Sequence, residues 1–393
     1  MPRVEHNVEA RRITPSGGSF FFGYYDRDPI DSGGRYHLAL HPPFIDRPNT
    51  GDDAAPLGLV DIESGAWRTV DGSPAWNWQL GPSARWLGSD PAAKIVYNAR
   101  EGGRAFARIL DVDSGERRDL PLPLFDVADD GSWGISTNFA RVQICRPGYG
   151  HPGVSEPHPD EPASDEDGVF RVDLQTGESE LIVSLGACAR TDPQSSMEGE
   201  GVLHWFNHSM ISPGGGRVMF LHRWRHEQWW DTRHFVCNAD GSGLKILNPG
   251  PKVSHCDWRD EDHILAWAGW GDEPLAYRLF DVETGRHEIV GEGLFATDGH
   301  CHYRVTPDGP DGRWFVTDTY PDKNRMRTLM LYDHETGTRW DIGRFLAPEG
   351  FDGEIRCDLH PRWDRSGRLV TIDSLHEGFR GIYMLDVGEI VGS

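Results

Sequence analysis

The feature that most constrains the fold is a short hairpin that recurs along the chain. In each copy a strand ends at Asp or Asn, a tight turn containing Gly follows, and a second strand begins. Asp or Asn before the turn and Gly inside it supply the positive backbone angles that a tight hairpin needs. Seven copies can be laid along the sequence, the last one weaker: GLVDIESGAWRTV (58–70), RILDVDSGERRDL (108–120), VFRVDLQTGESELI (169–182), HFVCNADGSGLKIL (234–247), YRLFDVETGRHEIV (277–290), LMLYDHETGTRWDI (329–342) and GIYMLDVGEIVGS (381–393).

A second hairpin lies upstream of each copy, as in SMISPGGGRVMFL (209–221). Most hairpin pairs begin about 45 to 60 residues apart, which is the period of a four-stranded propeller blade. The pattern therefore predicts an all-β fold, a seven-bladed β-propeller of four-stranded antiparallel blades, with residues 1–393 as one domain. The N-terminal HNVEARRITP (6–15) is predicted to pair beside the last strand and close the ring, which removes both free edges. Two stacked β-sandwich domains, the alternative, do not account for the regular period.

The interval between the third and fourth copies is longer, because it contains RPGYGHPGVSEPHPDEPASDEDG (146–168). This stretch is rich in Pro, Gly, Asp and Glu, which is typical of a long loop. We expect an acidic loop insertion within the domain. Both a lid and a solvated insertion are consistent with this composition.

Charge and composition narrow the classes of partner and compartment. The net charge is −23 and the pI is about 5.1, so nucleic acid is not an expected partner. No apolar run approaches the roughly 20 residues that span a bilayer, and no secretory signal is recognisable at the N-terminus. Six cysteines without CxxC pairs indicate reduced thiols. We therefore expect a cytoplasmic protein, although a mature periplasmic or secreted chain would have the same sequence features.

Polar residues collect where strands begin and end at one mouth of the predicted ring. In an up-and-down blade the start of the inner strand and the end of the second strand lie at the same mouth. A chain of net charge −23 thus gathers His and Arg at one end, which favours an anionic ligand, since Arg pairs with carboxylates in two-pronged fashion. Structural polar ladders around the channel are the alternative. The residues predicted to bind the ligand are Tyr25, Asn138, Arg141, Arg223, Tyr320 and Lys323.

One cluster at this mouth has metal-ligand character. His300 and His302 are two residues apart on a strand and so share a face, as do Asp358 and His360. Imidazole and carboxylate ligands of this kind suit manganese or zinc, with calcium as a further option. A hydrogen-bonded core pair is the alternative for any such histidines. The predicted metal ligands are His255, His300, Asp358 and His360.

The segments WFNHSMISP, VMFLHRWR, VSHCDW and RCDLHPRW together resemble the oligogalacturonate lyases. This resemblance covers roughly residues 204–385 and implies a seven-bladed propeller that binds a divalent metal and cleaves linkages next to galacturonate. His255 and His360 match ligand histidines of that family. Asp358 stands where the family has a histidine, and Ile355 stands where it has a ligating glutamine. The general plan is also similar to the propeller lyases that act on ulvan or on rhamnosyl-glucuronate linkages.

The activity implied by the resemblance is β-elimination on a uronic acid. A metal or an Arg on the carboxylate stabilises the enolate-like intermediate, and a neutral His or a comparable group takes the C5 proton. We therefore expect a polysaccharide or oligosaccharide lyase with an acidic oligosaccharide substrate. His208 or His222 is predicted to transfer the proton, and Arg225 or Arg141 to bind the carboxylate. A glycoside hydrolase acting on an acidic sugar and a non-catalytic binding propeller are the alternatives.

Overall fold

The chain folds into seven β-sheets that form the blades of a propeller, numbered 1 to 7 in chain order. The computed structural model describes residues 2–226 and 229–392. Within every blade neighbouring strands of the chain pair antiparallel, so the sheet order follows the chain order. This confirms the predicted seven-bladed fold, and most of the connections within blades are hairpins too short to allow a parallel crossover.

The strands of the first four blades run from the channel outwards in chain order. Blade 1 contains Tyr36–Leu40, Ala55–Asp61 and Trp67–Ser73. Blade 2 contains Arg85–Trp86, Lys94–Glu101, Arg104–Asp111 and Arg117–Asp119. Blade 3 contains Asp126–Val127, Trp133–Ser136, Gly168–Asp173 and Ser179–Ser184. Blade 4 contains Leu203–Ile211, Arg217–His226, Trp229–Asn238 and Lys245–Asn248.

The last three blades follow the same plan, and five short helical segments lie between strands or after the last one. Blade 5 contains Val253–Trp258, His263–Trp270, Glu273–Asp281 and His287–Ile289. Blade 6 contains His302–Thr306, Gly309–Thr317, Met326–Asp333 and Thr338–Leu346. Blade 7 contains Arg362–Trp363, Leu369–Ser374 and Gly381–Asp386. The α-helices are Phe139–Cys145, Leu185–Arg190 and Gly388–Val391, and the 3₁₀ segments are Ser195–Met197 and Gly353–Ile355.

The N-terminal segment closes the ring, as the sequence predicts. Arg11–Arg12 pairs antiparallel with Gly381–Asp386 and becomes the fourth, outer strand of blade 7. A preceding strand, Arg3–Glu5, pairs parallel with Thr338–Leu346 and gives blade 6 a fifth strand, which the sequence did not predict. Blade 1 has three regular strands, because the chain along its channel side makes only isolated bridges such as Phe21 with Leu40.

The recurring Asp residues hold the hairpin turns by accepting backbone hydrogen bonds. Asp61, Asp111, Asp173 and Asp281 each accept from the N–H three residues on, at 3.0, 2.9, 2.7 and 2.8 Å. This is the side-chain turn that makes Asp favourable before a tight hairpin. The repeat seen in the sequence is therefore a repeat of turn chemistry.

Apolar side chains fill the space between neighbouring blades. All six cysteines are free and buried, as expected for small filling residues. A further apolar cluster lies under one mouth of the channel and includes Tyr24, Tyr25, Phe139, Tyr149 and Trp205. Among the described residues, no helix has the length and apolar character to cross a bilayer.

Candidate functional site

Four histidines from four successive blades converge at one mouth of the channel. The ring centres of His208 and His255 are 5.7 Å apart, those of His255 and His300 4.0 Å, and those of His300 and His360 4.4 Å. All four side chains are buried. The pairing of the inner strands shifts register around His208 in blade 4 and around His255 in blade 5. Such bulges aim side chains differently from a regular strand and are frequent beside active sites.

His208 and His360 also adopt unusual backbone angles. Their φ values are 49° and 43°, in the left-handed region. Non-glycine residues there are uncommon, although His tolerates the region better than most. Two of the five such residues in the described chain thus belong to the histidine cluster, and strained backbone of this kind is typical of functional sites.

His208 forms a buried hydrogen-bonded pair with a tyrosine from blade 1. The Tyr24 hydroxyl and His208 Nε2 share a hydrogen bond, and the Asn207 amide nitrogen lies 2.6 Å from His208 Nδ1. Burial lowers the pKa of His208 well below its usual value, and the charge of Arg223 adds to that effect. Burial also raises the pKa of Tyr24 well above its usual value. At neutral pH both groups are therefore uncharged, and His208 is able to accept a proton.

His300 and His360 have the character of a metal site. Asp318 accepts a hydrogen bond from His300 Nδ1 at 2.9 Å and leaves Nε2 buried without a partner among the described residues. The Nε2 atom of His360 is likewise buried without a partner. Ligand atoms of His300, His360 and Asp358 all lie within 4.8 Å of one another. Asp298 accepts from Nδ1 of His255 in the same way, at 2.9 Å. A carboxylate that holds one ring nitrogen and presents the other is the usual support of a metal-binding histidine.

The carboxylate of Asp358 is already paired with two arginines. Arg327 Nη2 donates to its Oδ1 at 3.0 Å and Arg356 Nε to its Oδ2 at 2.6 Å. Burial alone would raise the pKa of Asp358, but Arg356, His300 and Arg327 together hold it well below its usual range. Asp358 thus lies where the predicted site requires it, while its negative charge is balanced by guanidinium groups.

A cleft of about 580 Å³ opens beside the histidine cluster. Its lining includes Arg146, Arg223 and Lys252, none of which forms an ion pair or a side-chain hydrogen bond with any described residue. Arg223 is buried. Burial is the main cause that lowers its pKa to about 10, and the positive charge of the nearby Arg146 adds to this shift. A buried guanidinium without a carboxylate partner is costly, and it is a ready site for an anionic ligand. The lining residues are Arg146, Tyr149, His208, Arg223, Trp229, Trp230, Thr232, Pro251, Lys252, Val253, Ser254, His255, Trp267, Leu275, Ala296, Thr297, Asp298 and Tyr320.

The first part of the 146–168 insertion forms one wall of this cleft. Arg146 and Tyr149 line it, and Arg356 of the segment entering blade 7 donates to the Tyr149 hydroxyl at 2.5 Å. Asn77, between blades 1 and 2, donates to the carbonyl of Gly150 at 3.1 Å.

The insertion also packs closely on the loop inside blade 1. A Cβ atom on Gly51 would lie 2.7 Å from Cα of Gly153, so only a residue without a side chain fits there. The insertion therefore crosses from blade 3 to blades 1 and 7 and covers that side of the mouth, while the cleft lies over blades 4, 5 and 6.

Four of the predicted binding and catalytic residues lie outside the cleft. Asn138 caps helix Phe139–Cys145 and donates to Asp167 at 2.9 Å. Arg141 pairs with Glu156 at 3.1 Å. Both residues therefore anchor the insertion. Arg225 donates to the carbonyl of Ile144 at 3.4 Å, and Lys323 is exposed, and neither lines the cleft.

His222 does not face His208. It lies opposite Phe206 in the strand pairing, and its Nε2 is 3.0 Å from Nδ1 of His204, while Arg233 Nε donates to its Nδ1 at 3.2 Å. Its side chain therefore lies within the body of blade 4.

Two further predicted residues surround the cluster. Tyr25 lies beneath it, where its hydroxyl donates to the carbonyl of Cys256 at 2.9 Å, and Tyr320 lines the cleft. His302, although two residues from His300, accepts from the backbone of Trp363 at 3.3 Å and lies away from the cluster.

Some residues of the site have no assigned role in the sequence prediction. The strand pattern places Tyr24, Asp318 and Arg356 at the mouth but gives them no catalytic, binding or metal role. Arg146 and Tyr149 lie in the insertion, where no strand periodicity indicates their position. Asp318 is 18 residues from the histidine that it supports.

The fold and the site together define a seven-bladed propeller with a histidine-rich, cation-lined mouth. No family model matches the chain, and no curated protein matches it. Among solved structures, it is similar to an oligogalacturonate lyase in complex with manganese, with 16% identity, a TM-score of 0.69, and coverage of 98% of this chain and 95% of that chain. It is also similar to the oligogalacturonate lyase of Vibrio parahaemolyticus, with 16% identity, a TM-score of 0.66, and coverage of 97% and 94%.

A puromycin-hydrolysing peptidase of Mycobacterium tuberculosis is similar as well, with 14% identity and a TM-score of 0.55, over 97% of this chain and 55% of that chain. The resemblance to oligogalacturonate lyases is thus confirmed for the fold. Since proteins of different activity share this architecture, the function must be argued from the site.

Proposed function

We propose that the protein is a lyase that cleaves uronate-containing oligosaccharides by β-elimination at the histidine-rich mouth. The observation that carries this proposal is that one cleft holds Arg223 and Arg146, which have no ion pair among the described residues, beside the neutral, buried His208. A uronate brings a carboxylate for the guanidinium groups and a C5 proton for the imidazole. The structural similarity to oligogalacturonate lyases supports the same class of reaction.

The proposed elimination needs one base and one acid on a single sugar unit. His208 takes the proton from C5 at Nε2 once the Tyr24 hydroxyl releases its hydrogen bond to that atom, the C4–O bond breaks, and a C4=C5 double bond forms. Arg223 pairs with the carboxylate and stabilises the negative charge that develops on it. Tyr149 gives its proton to the departing oxygen. Arg356 donates to the Tyr149 oxygen, so the Tyr149 O–H proton is free to point towards the substrate.

The distances within the site are compatible with these roles. The ring centres of His208 and Tyr149 are 6.4 Å apart, a separation that a sugar ring can span. Tyr24 is fully buried and does not line the cleft, so it acts through His208. Its hydroxyl orients the imidazole and shares the proton held at Nε2.

The donor set also fits a divalent metal. The ion would be held by the Nε2 atoms of His300 and His360, neither of which has a partner among the described residues, and by a carboxylate oxygen of Asp358. His255 lies beside them, and Asp318 and Asp298 are the supporting carboxylates. Three imidazoles suit manganese or zinc better than calcium. When bound, such an ion supplies positive charge that acidifies the C5 proton by polarising the uronate carboxylate.

The cleft favours elimination over hydrolysis by a carboxylate pair. Among the described residues that line it, Asp298 is the only carboxylate, and a glycosidase of the usual kind needs two. Asp298 is also occupied with His255. The alternative of a glycoside hydrolase therefore has less support than the lyase.

The test is a panel of uronate oligosaccharides, with absorbance at 235 nm to detect the unsaturated product. The wild type should raise this absorbance on at least one member, and His208→Ala should lower the rate about 10²- to 10⁴-fold, as loss of a general base does. His222→Asn is the matched control, because His222 is equally buried in the same blade but lies outside the cleft.

We expect that control to melt earlier and to keep most of its activity. New reducing ends without absorbance at 235 nm would instead indicate hydrolysis, and binding without either product would indicate a recognition module.

A further inference from the structure

The rim of the cleft carries exposed apolar side chains that the elimination itself does not use. Among the described residues, five large apolar side chains are exposed, and two of them, Trp229 and Leu275, line this cleft. Trp229 is 72% exposed and Leu275 39%. An exposed Trp is unusual on a protein surface, and apolar groups gathered at the edge of a polar cleft are typical of a binding surface.

Both residues stand at the tips of neighbouring hairpins. Trp229 begins the third strand of blade 4, whose two central strands, Arg217–His226 and Trp229–Asn238, have 10 residues each and are the longest of the described strands. Leu275 lies near the start of the equivalent strand of blade 5. The two hairpins therefore flank the outer part of the cleft, between blades 4 and 5.

Because one side of the mouth is covered, the remaining units of a bound oligosaccharide have to leave through the outer part of the cleft, between blades 4 and 5. Residues 149–153 cover blades 1 and 7 by means of contacts of Tyr149, Gly150 and Gly153. These residues therefore block one side of a sugar unit bound at His208. Further units of the same oligosaccharide must extend over blades 4 and 5, past Trp229.

We propose that Trp229, together with Leu275 and Lys252 of the same cleft, forms an outer subsite for a sugar unit beyond the reacting one. The flat indole receives the apolar C–H face of a pyranose ring, and the Lys252 ammonium receives a carboxylate of an acidic sugar. Trp230 lines the same cleft and lies under Arg146, whose guanidinium is 4.7 Å from the indole ring centre. The cleft thus combines aromatic faces with cations that have no ion pair among the described residues, a lining that suits a short acidic oligosaccharide.

This inference rests on the proposed function, and its test compares chain lengths. The probes are dimers and tetramers of α-1,4-galacturonate and of β-1,4-glucuronate, and the assay is absorbance at 235 nm. Trp229→Ala should raise KM for the tetramer about tenfold, which corresponds to the loss of one aromatic contact, and should leave KM for the dimer and both kcat values within about twofold. Trp229→Phe should recover most of the affinity because it keeps a flat ring.

Leu346→Ala is the control, since Leu346 is 44% exposed on the fourth strand of blade 6 and does not line the cleft. An unchanged tetramer KM in Trp229→Ala would overturn the subsite. Equal rises for dimer and tetramer would place Trp229 beside the reacting unit and would also overturn it.

Calorimetric binding of the tetramers separates failure of the subsite from failure of the proposed function. If the wild type binds a tetramer without cleaving it and Trp229→Ala binds about tenfold more weakly, the subsite stands and the lyase proposal falls. If the wild type cleaves a tetramer and Trp229→Ala binds it equally well, the lyase proposal stands and the subsite falls. Absence of both binding and cleavage for every probe would overturn both.

Discussion

Replacing Arg223 should make the protein more stable and less active at the same time. Its guanidinium is buried, and no described residue pairs with it. Burial lowers its pKa from an ordinary value near 12.5 to about 10, which corresponds to roughly 3 kcal/mol of cost for keeping the charge. Because Arg223 is protonated at neutral pH in both the folded and unfolded states, this cost is present in full there. It is relieved only as the pH rises through 10.

Arg223→Met removes the charge while keeping most of the apolar stem. Allowing for relaxation, we expect a gain of about 1–3 kcal/mol in the free energy of unfolding, or about 1–4 °C in Tm for a chain of this size. The rate of elimination should fall about 10- to 10²-fold in kcat/KM, because the substrate carboxylate loses its charge-assisted hydrogen bonds. Scanning calorimetry at pH 7 and the 235 nm assay measure the two effects.

Arg233→Met provides the matched control in the same blade. The Arg233 guanidinium is equally buried but donates to the carbonyls of Asp192 at 2.9 Å and Cys188 at 2.6 Å. Its removal leaves these acceptors unpaired and should lower the stability by about 2–4 kcal/mol with little effect on kcat/KM. If Arg223→Met is destabilised like the control, or if it keeps wild-type activity, the argument that Arg223 awaits an anionic ligand is wrong.

Three further outcomes are expected from the remaining parts of the site and its surroundings. Tyr24→Phe should lower kcat about 10- to 10²-fold with KM unchanged, since the hydroxyl acts on the substrate only through the imidazole; a larger effect on KM would contradict this. Asp318→Asn should weaken Mn²⁺ binding about 10- to 100-fold by calorimetry, because His300 loses the carboxylate that presents its Nε2 atom; unchanged affinity would exclude His300 as a ligand. His151 stacks on Phe139 with ring centres 4.1 Å apart, and burial lowers the pKa of His151 to about 3. Because the unfolded chain binds this proton near pH 6.5 and the folded chain does not, the protein loses stability as the pH falls from about 6.5 towards 3. Between pH 7 and pH 4.5 the free energy of unfolding of His151→Phe, measured in urea, should therefore rise by roughly 2–3 kcal/mol relative to that of the wild type. A parallel pH dependence of the two proteins would refute this.

The fold could be predicted from the sequence because its repeat is local. Asp61 and its equivalents hold their turns within three residues, so the chemistry of each hairpin is visible in a short window of sequence. The pairing of Arg11–Arg12 with the last blade is a long-range contact, but it follows from the need to close a ring of strands.

The site could be predicted only in part, because its geometry depends on which face of a strand looks into the channel. His300 and His360 begin inner segments, and their positions follow from the blade repeat. His222 lies on the second strand of its blade, where side chains pack within or between blades. It stands near the end of that strand in the sequence, but its side chain does not reach the mouth. Asn138 and Arg141 were predicted from their position at a strand end, but the insertion recruits both through Glu156 and Asp167, and such contacts have no local sequence signal.

Asp358 belongs to the candidate metal cluster and also organises the charged side chains around it. Its carboxylate lies between Arg327 and Arg356, and Arg356 in turn holds Tyr149 of the insertion, so one charge links the histidine cluster to the wall of the cleft. A histidine at this position would leave two buried guanidinium groups without their shared counter-charge, which costs several kcal/mol. In this chain the Nε2 atoms of His300 and His360, which have no partner among the described residues, and the carboxylate of Asp358 are the groups best suited to hold a metal.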